Sequence, residues 1–325
     1  MLIPLNKEPQ SDAVERLELK ICEYSGAKHC LAVSSATSAL LMIILDFKSM
    51  MSQAEILLPT YGFPAVYRAC RMAGIEPVPV EMDYKTMSID MEDAGRKLTY
   101  NTIALFNVES NAVLGPLNEM KTFSIKHGIF FIEDSAPALT QKYNGVNAGR
   151  FGHVGVYSFG GFKVLNSGEG GAIVTDDEGA YETMKNIRST TDNSTHFHRA
   201  LNFNMSYHLA ELLLSQFENI DAIAKDRERV HDLYKQNGLD IFEDSSVTNR
   251  YQFVIYRSPS ANKISEALTK FKIGHRYDHY TVLDSSPVGN RIKSETIELP
   301  LFYQMEESQI KTVCNVVRRA DRGLF

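Results

Sequence analysis

Val156-Tyr157-Ser158-Phe159-Gly160-Gly161-Phe162-Lys163-Val164-Leu165-Asn166-Ser167-Gly168-Glu169-Gly170-Gly171 sets one lysine between the end of an apolar run and a cluster of glycines. Glycine permits positive φ and close backbone approach. A lysine held there loses part of its hydration, which lowers its pKa and suits the amine to attack an aldehyde and form a Schiff base. A solvated loop lysine is the rival reading. Two other Gly-rich chemistries fail on spacing. Gly168-x-Gly170 meets Ile173 where a dinucleotide motif needs glycine, and no Gly-x-x-x-x-Gly-Lys-Ser/Thr run exists for a P-loop.

Outward from this stretch, short apolar runs alternate with amphipathic segments, the pattern of an α/β domain with a largely parallel sheet. Seven strands are expected, at His29 to Val33, Glu55 to Leu58, Glu76 to Val80, Thr102 to Phe106, Ile129 to Ile132, Val154 to Ser158 and Gly171 to Thr175. Helices are expected at Asp12 to Tyr24, capped by Ser11, and at Ser38 to Lys48, Ala65 to Ala73 and Leu117 to His127. After Asn202 the texture changes. One or two long helices span Tyr207 to Tyr234, followed by an apolar run at Tyr251 to Tyr256 and helices at Lys263 to Phe271 and Ser308 to Arg319, enough for a smaller α+β domain. The expected division is a large domain at 1–217 and a small C-terminal domain at 218–325.

Three further features mark strand ends, where open α/β sheets place ligands. Asp134 follows the apolar run Ile129-Phe130-Phe131-Ile132-Glu133, placed to keep a pyridinium nitrogen protonated; a turn or cap aspartate is the alternative. Ser35-Ala36-Thr37-Ser38 brings hydroxyls and backbone N–H groups to a helix N-terminus, which suits a phosphate as well as plain N-capping. Pro59-Thr60-Tyr61-Gly62-Phe63 offers Tyr61 or Phe63 as a flat face for an aromatic ring, or as core.

Together these residues resemble the DegT/DnrJ/EryC1/StrS family of pyridoxal phosphate (PLP)-dependent sugar aminotransferases. The most specific match is Ser158-Phe159-x-x-x-Lys163-x-Leu165-x-x-Gly168-Glu169-Gly170-Gly171. Also similar, in order along the chain, are Tyr24 to Ala27 with Val33 to Leu40, Pro59 to Phe63, Ile132 to Ala136, Leu201 to Ser206, Leu299 to Phe302 and Glu306-Glu307. The resemblance implies the aspartate aminotransferase-like fold type I, with a mostly parallel seven-stranded sheet, helices on both faces and a smaller C-terminal α+β domain. It implies that Lys163 carries PLP and shuttles a proton and that Asp134 pairs with the pyridine nitrogen. Phe63 is expected to stack on the ring, with Ser35, Ala36, Thr37, Ser158 and a partner chain's Asn202 around the phosphate. It further implies a homodimer with composite sites, in which a donor such as L-glutamate passes its amino group by way of the cofactor to a nucleotide-linked keto sugar.

The chain departs from the family pattern where Gln or His usually follows the Asp-x-Ala step and Pro137 stands, where Thr usually precedes the stacking aromatic and Gly62 stands, and at Asn204, usually Arg. A sugar dehydratase, a transaminase of a small non-sugar ketone and a PLP-binding protein whose site has drifted therefore stay open. Retention of Lys163 favours transamination. The chain also looks shorter at its N-terminal end than longer relatives.

Composition sets the wider bounds. With 34 basic and 40 acidic residues in 325, a net charge of −6 and no long basic run, a nucleic-acid or anionic-lipid partner is not expected. Cys22, Cys30, Cys70 and Cys314 form no Cys-x-x-Cys pair, so reduced thiols are expected. Met1-Leu2-Ile3-Pro4-Leu5 lacks the basic start of a signal peptide, and no apolar stretch reaches membrane-spanning length, so a cytoplasmic protein is expected. No metal site is expected: His196-Phe197-His198 lacks further ligands. The polar, aromatic segment His275 to Tyr280 is either a sugar-nucleotide contact or a surface turn.

Overall fold

The seven expected strands form one sheet in the computed structural model, which describes residues 12–189, 201–244, 247–248 and 252–324. In chain order they are β1 (His29–Val33), β2 (Glu55–Pro59), β3 (Glu76–Val80), β4 (Thr102–Val108), β5 (Phe130–Asp134), β6 (Val154–Ser158) and β7 (Gly171–Thr175), lying in the order β1-β7-β6-β5-β4-β2-β3. The pairs from β6 to β3 are parallel, and β7 runs antiparallel to both its neighbours. Val33 and Ser158 both pair with Gly171, so the start of β7 lies at the same sheet edge as the ends of β1 and β6.

Strand alternation divides the apolar residues between two layers. Leu31, Ile56, Phe106, Ile132, Val156 and Ile173 face one core, closed by helices α2 (Ala36–Met50) and α3 (Ala65–Ala73) and by Met184 and Ile187. On the opposite face, Ala32, Tyr157 and Val174 meet the stripe Ala13, Leu17 and Ile21 of α1 (Asp12–Ser25), whose spacing of four residues is helical. Leu57, Leu105 and Phe131 lie under α4 (Met91–Lys97) and α5 (Leu117–His127). The remaining helix of this part, α6 (Glu178–Arg188), contributes Met184 and Ile187 to the first core.

The 207–234 region is two helices, α7 (Tyr207–Phe217) and α8 (Ile220–Gln236). Ile220 still packs with the first layers, while Val230 and Tyr234 enter a second core with Ile264, Leu268, Ile297 and Val313. That core is built on β8 (Val254–Arg257), β9 (Arg276–Tyr277) and β10 (Thr296–Leu299), in the antiparallel order β8-β10-β9, with α8, α9 (Ala261–Lys270) and α11 (Glu307–Asp321). The two parts are stitched together where Tyr61 and Gly62 pair with Val282 and Thr281, beside α10 (Pro287–Glu295).

Three strand ends and the start of one helix reach further than expected in ways that matter for the sheet edge. β5 continues to Asp134, β4 to Val108 and β2 to Pro59. Helix α2 begins at Ala36, because Ser35 is extended (φ −164°) and its hydroxyl accepts from Ser38 N, closing the first turn. Helices α4, α6 and α10 and strand β10 carry no strong sequence signal: the helices are short and charged, and β10 has Glu298 in its middle. Ser11, Tyr251 and His196-Phe197-His198 lie outside the described residues. Among the described residues no helix is long and apolar enough to cross a membrane, no cluster of three or more metal-ligating side chains occurs, and the four cysteines are free.

Candidate active site

A cavity of about 370 Å³ opens at the sheet edge where β1, β4, β5 and β6 end and β7 begins. Ser35, Ala36, Thr37, Phe63, Asp134, Ser158 and Lys163 all line it. Residues as far apart in sequence as Ser35 and Lys163, 128 positions (163 − 35), thus come together, and with them every site residue expected of a single chain. Asn202 does not line the cavity. It is exposed, and its Oδ1 accepts from the Asn204 side chain at 3.1 Å.

Lys163 sits on a closed excursion between β6 and β7. Phe159 N donates to Gly170 O at 2.9 Å, Ser167 N to Phe159 O at 2.9 Å and Lys163 N to Gly160 O at 2.9 Å. Gly170 takes φ 141°, a conformation that side chains resist. Desolvation lowers the Lys163 pKa, Asp134 opposes this, and the charge of Arg276 adds to the lowering. An amine so placed is more available as a nucleophile and base near neutrality than a solvated lysine.

Asp134 is fully buried, and burial pushes its pKa up to about 6 against the pull of Lys163 and of Ala136 N, which donates at 3.3 Å. Its neighbour Glu133 points to the other face of the sheet and takes backbone N–H bonds from Gly149 (3.0 Å), Phe151 (2.6 Å) and Gly152 (2.6 Å). The adjacent acids therefore have different work: Glu133 ties down the 149–152 turn, and Asp134 faces the cavity.

On the flank toward β1, the first N–H groups of α2 have no intrahelical acceptor. Ser34, Ser35 and Ser38 form a hydroxyl cluster, Ser38 Oγ lying 2.9 Å from each of the others. Gly171 is required here, since a Cβ on it would stand 2.4 Å from Ala36 N and 2.5 Å from Ser35 C. Phe63 is 55% exposed at the cavity wall. The departure at Gly62 has a steric cause: a Cβ would come within 2.6 Å of Ser110 Oγ and 3.3 Å of Val108 Cγ1.

From the second core come Arg276, His279 and Tyr280. The Arg276 guanidinium lies 4.4 Å from the ring centroid of Phe162 and 5.3 Å from that of Phe253. Burial, with the charges of Arg276 and Lys163, lowers the His279 pKa to about 4, so the ring is neutral at pH 7. The sequence reading missed Glu109 and Glu298. The signal for Glu109 was the one used for Asp134, an acid directly after an apolar strand, whereas Glu298 lies inside a strand of mixed polarity that gives no such signal.

An amine and a carboxylate facing one cavity, beside a free helix N-terminus and an exposed aromatic ring, match the three parts of a phosphorylated pyridine aldehyde. Asp134 in particular is a buried acid whose burial is only partly compensated. The sheet order is that of fold type I PLP-dependent transferases. The model of the DegT/DnrJ/EryC1/StrS aminotransferase family matches residues 9–318, and the chain belongs to that family, whose members are PLP-dependent transferases. It is similar to GDP-perosamine synthase of Vibrio cholerae (24% identity, covering 94% of this chain and 90% of that protein). It is also similar to the UDP-N-acetyl-3-dehydro-alpha-D-glucosamine 3-aminotransferase of Acidithiobacillus ferrooxidans (26% identity, 94% and 88%). Among solved structures it superimposes on Helicobacter pylori PseC, an aminotransferase of pseudaminic acid biosynthesis, with a TM-score of 0.89 at 22% identity (98% and 94% of the two chains).

Proposed function

We propose that the protein moves an amino group from an amino-acid donor, L-glutamate, to a keto sugar carried on a nucleotide, with PLP in the cavity between Asp134 and Lys163. The observation that carries this is the pairing of a desolvated amine with a buried carboxylate across one cavity. The two relatives named above act on sugars linked to different nucleotides, which supports the nucleotide-sugar class without choosing a base.

Lys163 would hold the cofactor through Nζ, Asp134 would pair with the ring nitrogen and Phe63 would cover the ring. The N-terminus of α2 at Ser35, Ala36 and Thr37, with Ser158, would take the phosphate. When bound there, PLP supplies an electron-withdrawing ring that stabilises negative charge on the substrate carbon. Asp134 keeps the ring nitrogen protonated. The Lys163 Nζ would take the proton from the donor's α-carbon and return it later in the exchange. Arg276 offers a planar fork to a carboxylate of the donor. Its charge acts on Lys163, and it lines the same cavity, which supports a place for it beside the reacting centre.

Asn202, exposed and outside its own chain's cavity, supports a homodimer in which a second copy completes the phosphate site. Division near residue 217 into a large cofactor-binding part and a small C-terminal part, and a cytoplasmic location, belong to the same proposal.

The test is a single turnover. L-Glutamate added to the PLP-loaded protein should convert the bound cofactor to its pyridoxamine form, and a keto sugar on GDP, UDP or TDP should then restore it with release of an amino sugar. Failure of the glutamate step would point to a drifted site. Conversion followed by turnover of a small ketone alone would point to the non-sugar alternative.

A further inference from the structure

We infer that Gln252 is a positioning residue for Lys163: its side-chain amide holds the peptide unit through which the lysine joins its loop, and so fixes the direction in which the amine enters the cavity. The inference rests on the role of Lys163 proposed above.

The peptide unit between Phe162 and Lys163 has one polar group at each end, and both are taken. Its N–H, on Lys163, donates to Gly160 O at 2.9 Å. Its carbonyl, on Phe162, accepts from the side-chain Nε2 of Gln252, 90 positions away. A peptide unit is planar, so one tied at both ends has little freedom to turn. Its orientation sets where the Cα–Cβ bond of Lys163 starts.

The loop's own packing does not supply this hold. Gly160 and Gly161 carry no side chains, a Cβ on Gly161 would meet nothing within 4 Å, and Phe162 is 75% exposed. The anchor comes from the second core instead. Gln252 is 4% exposed, and its own carbonyl accepts from Arg227 Nη2 at 2.6 Å. Arg227 lies on α8 and is itself buried. The next residue, Phe253, lines the cavity and flanks the Arg276 guanidinium that also packs on the Phe162 ring. Breaking the Gln252 bond would strand a buried amide as well as free the loop.

A second glutamine holds the same loop and supplies the contrast. Gln216, on α7, accepts from Asn166 N at 3.0 Å and donates to Asn166 O at 2.7 Å. Those two bonds act three residues beyond the lysine. Of the two glutamines, Gln252 alone bonds the lysine's own peptide unit.

The experiment compares the full chain with Gln252→Met, which keeps the side-chain length and removes the donor, and with Gln216→Met, which removes two bonds from the same loop. In cofactor-free protein, the amide hydrogens of residues 160–163 should exchange faster in Gln252→Met than in the wild type or Gln216→Met. Loaded to saturation with PLP, Gln252→Met should slow the single-turnover reaction with L-glutamate by about 10- to 100-fold, the scale of a catalytic group displaced by about 1 Å. With α-deuterated glutamate its isotope effect should exceed that of the wild type, because proton transfer at Lys163 becomes the slow step. Gln252→Asn, one carbon too short but still an amide, serves if the methionine prevents folding, and should show the same pattern. A rate loss no greater than that of Gln216→Met, an unchanged isotope effect, or unchanged exchange at 160–163 would overturn the inference. Failure of the wild type to take up PLP in a form that borohydride fixes at Lys163 would instead overturn the cofactor site itself.

Discussion

The side-chain amide of Asn111 donates to Glu298 Oε1 at 2.9 Å, joining residues 187 positions apart at the seam between the two cores. Asn111 has φ 56°, a conformation that asparagine tolerates better than most residues. Its Oδ1 accepts from Tyr61 Oη at 2.9 Å, and its backbone N–H donates to Tyr280 Oη at 3.0 Å. Tyr280 in turn donates to Glu298 Oε1 at 3.3 Å and lines the cavity wall. One residue thus ties Tyr61, Tyr280 and Glu298 together where the two cores meet.

Asn111→Gly keeps the backbone conformation and removes the amide, leaving the Tyr61 hydroxyl and part of Glu298 buried without partners. A loss of about 2–3 kcal/mol is expected. Asn111→Ala should lose about 1 kcal/mol more, since alanine pays for the positive φ. Urea unfolding of the two variants and the wild type measures both differences.

Glu298 is buried, and desolvation raises its pKa to about 7, against the pull of Arg276 and the hydrogen bonds from Asn111 and Tyr280. The folded protein holds this proton longer than the unfolded chain. Its contribution to stability is therefore fully present below about pH 4.5, falls as pH rises from there to about 7, and is flat beyond, a change of about 3 kcal/mol. In cofactor-free protein, Glu298→Gln should remove that downward slope. Unfolding free energies across pH 4.5 to 8 test this, and parallel profiles for the two proteins would refute it.

Gly171→Ala places a methyl group against the backbone of Ser35 and Ala36, where neither partner is a flexible side chain. The start of α2 must shift away from β7. PLP affinity is expected to fall at least about tenfold and stability by about 1–3 kcal/mol. Equilibrium titration of cofactor-free protein with PLP, alongside melting curves, separates the two effects.

Arg276→Leu should raise the KM for the amino-acid donor by about 10- to 100-fold, the scale of a lost charge-assisted, two-pronged contact. The half-reaction of the pyridoxamine form with the keto sugar should change little. Arg276→Lys should recover only part of the loss, because a point charge does not reproduce the fork held between Phe162 and Phe253. Damage confined to the half-reaction with the keto sugar would place Arg276 at the nucleotide instead.

Much of the site was legible because fold type I chemistry sits at strand ends, and strand ends are marked by abrupt changes from apolar to polar residues. Asp134, Lys163 and the Ser35 to Thr37 turn all lie at such changes, and the matching residues line one cavity. Arg276 was visible only as part of a polar segment of uncertain use, since its neighbours Phe162 and Phe253 are far from it in sequence. The Gly62 departure has its reason in the close approach of Ser110, a contact that local pattern does not show.

The sequence by itself determined the seven strands, the helices α1, α2, α3 and α5 that cover much of them and the one lysine on the loop between β6 and β7, because hydrophobic periodicity and glycine placement are local properties. Tertiary structure alone decided the division of labour among Glu109, Glu133 and Asp134, three acids at adjoining strand ends. Glu133 is satisfied by the 149–152 turn, Asp134 faces Lys163, and Glu109 is buried beside Glu133 and Ser135. What separates them is which groups the neighbouring strands bring within reach, and that depends on sheet order and side-chain facing.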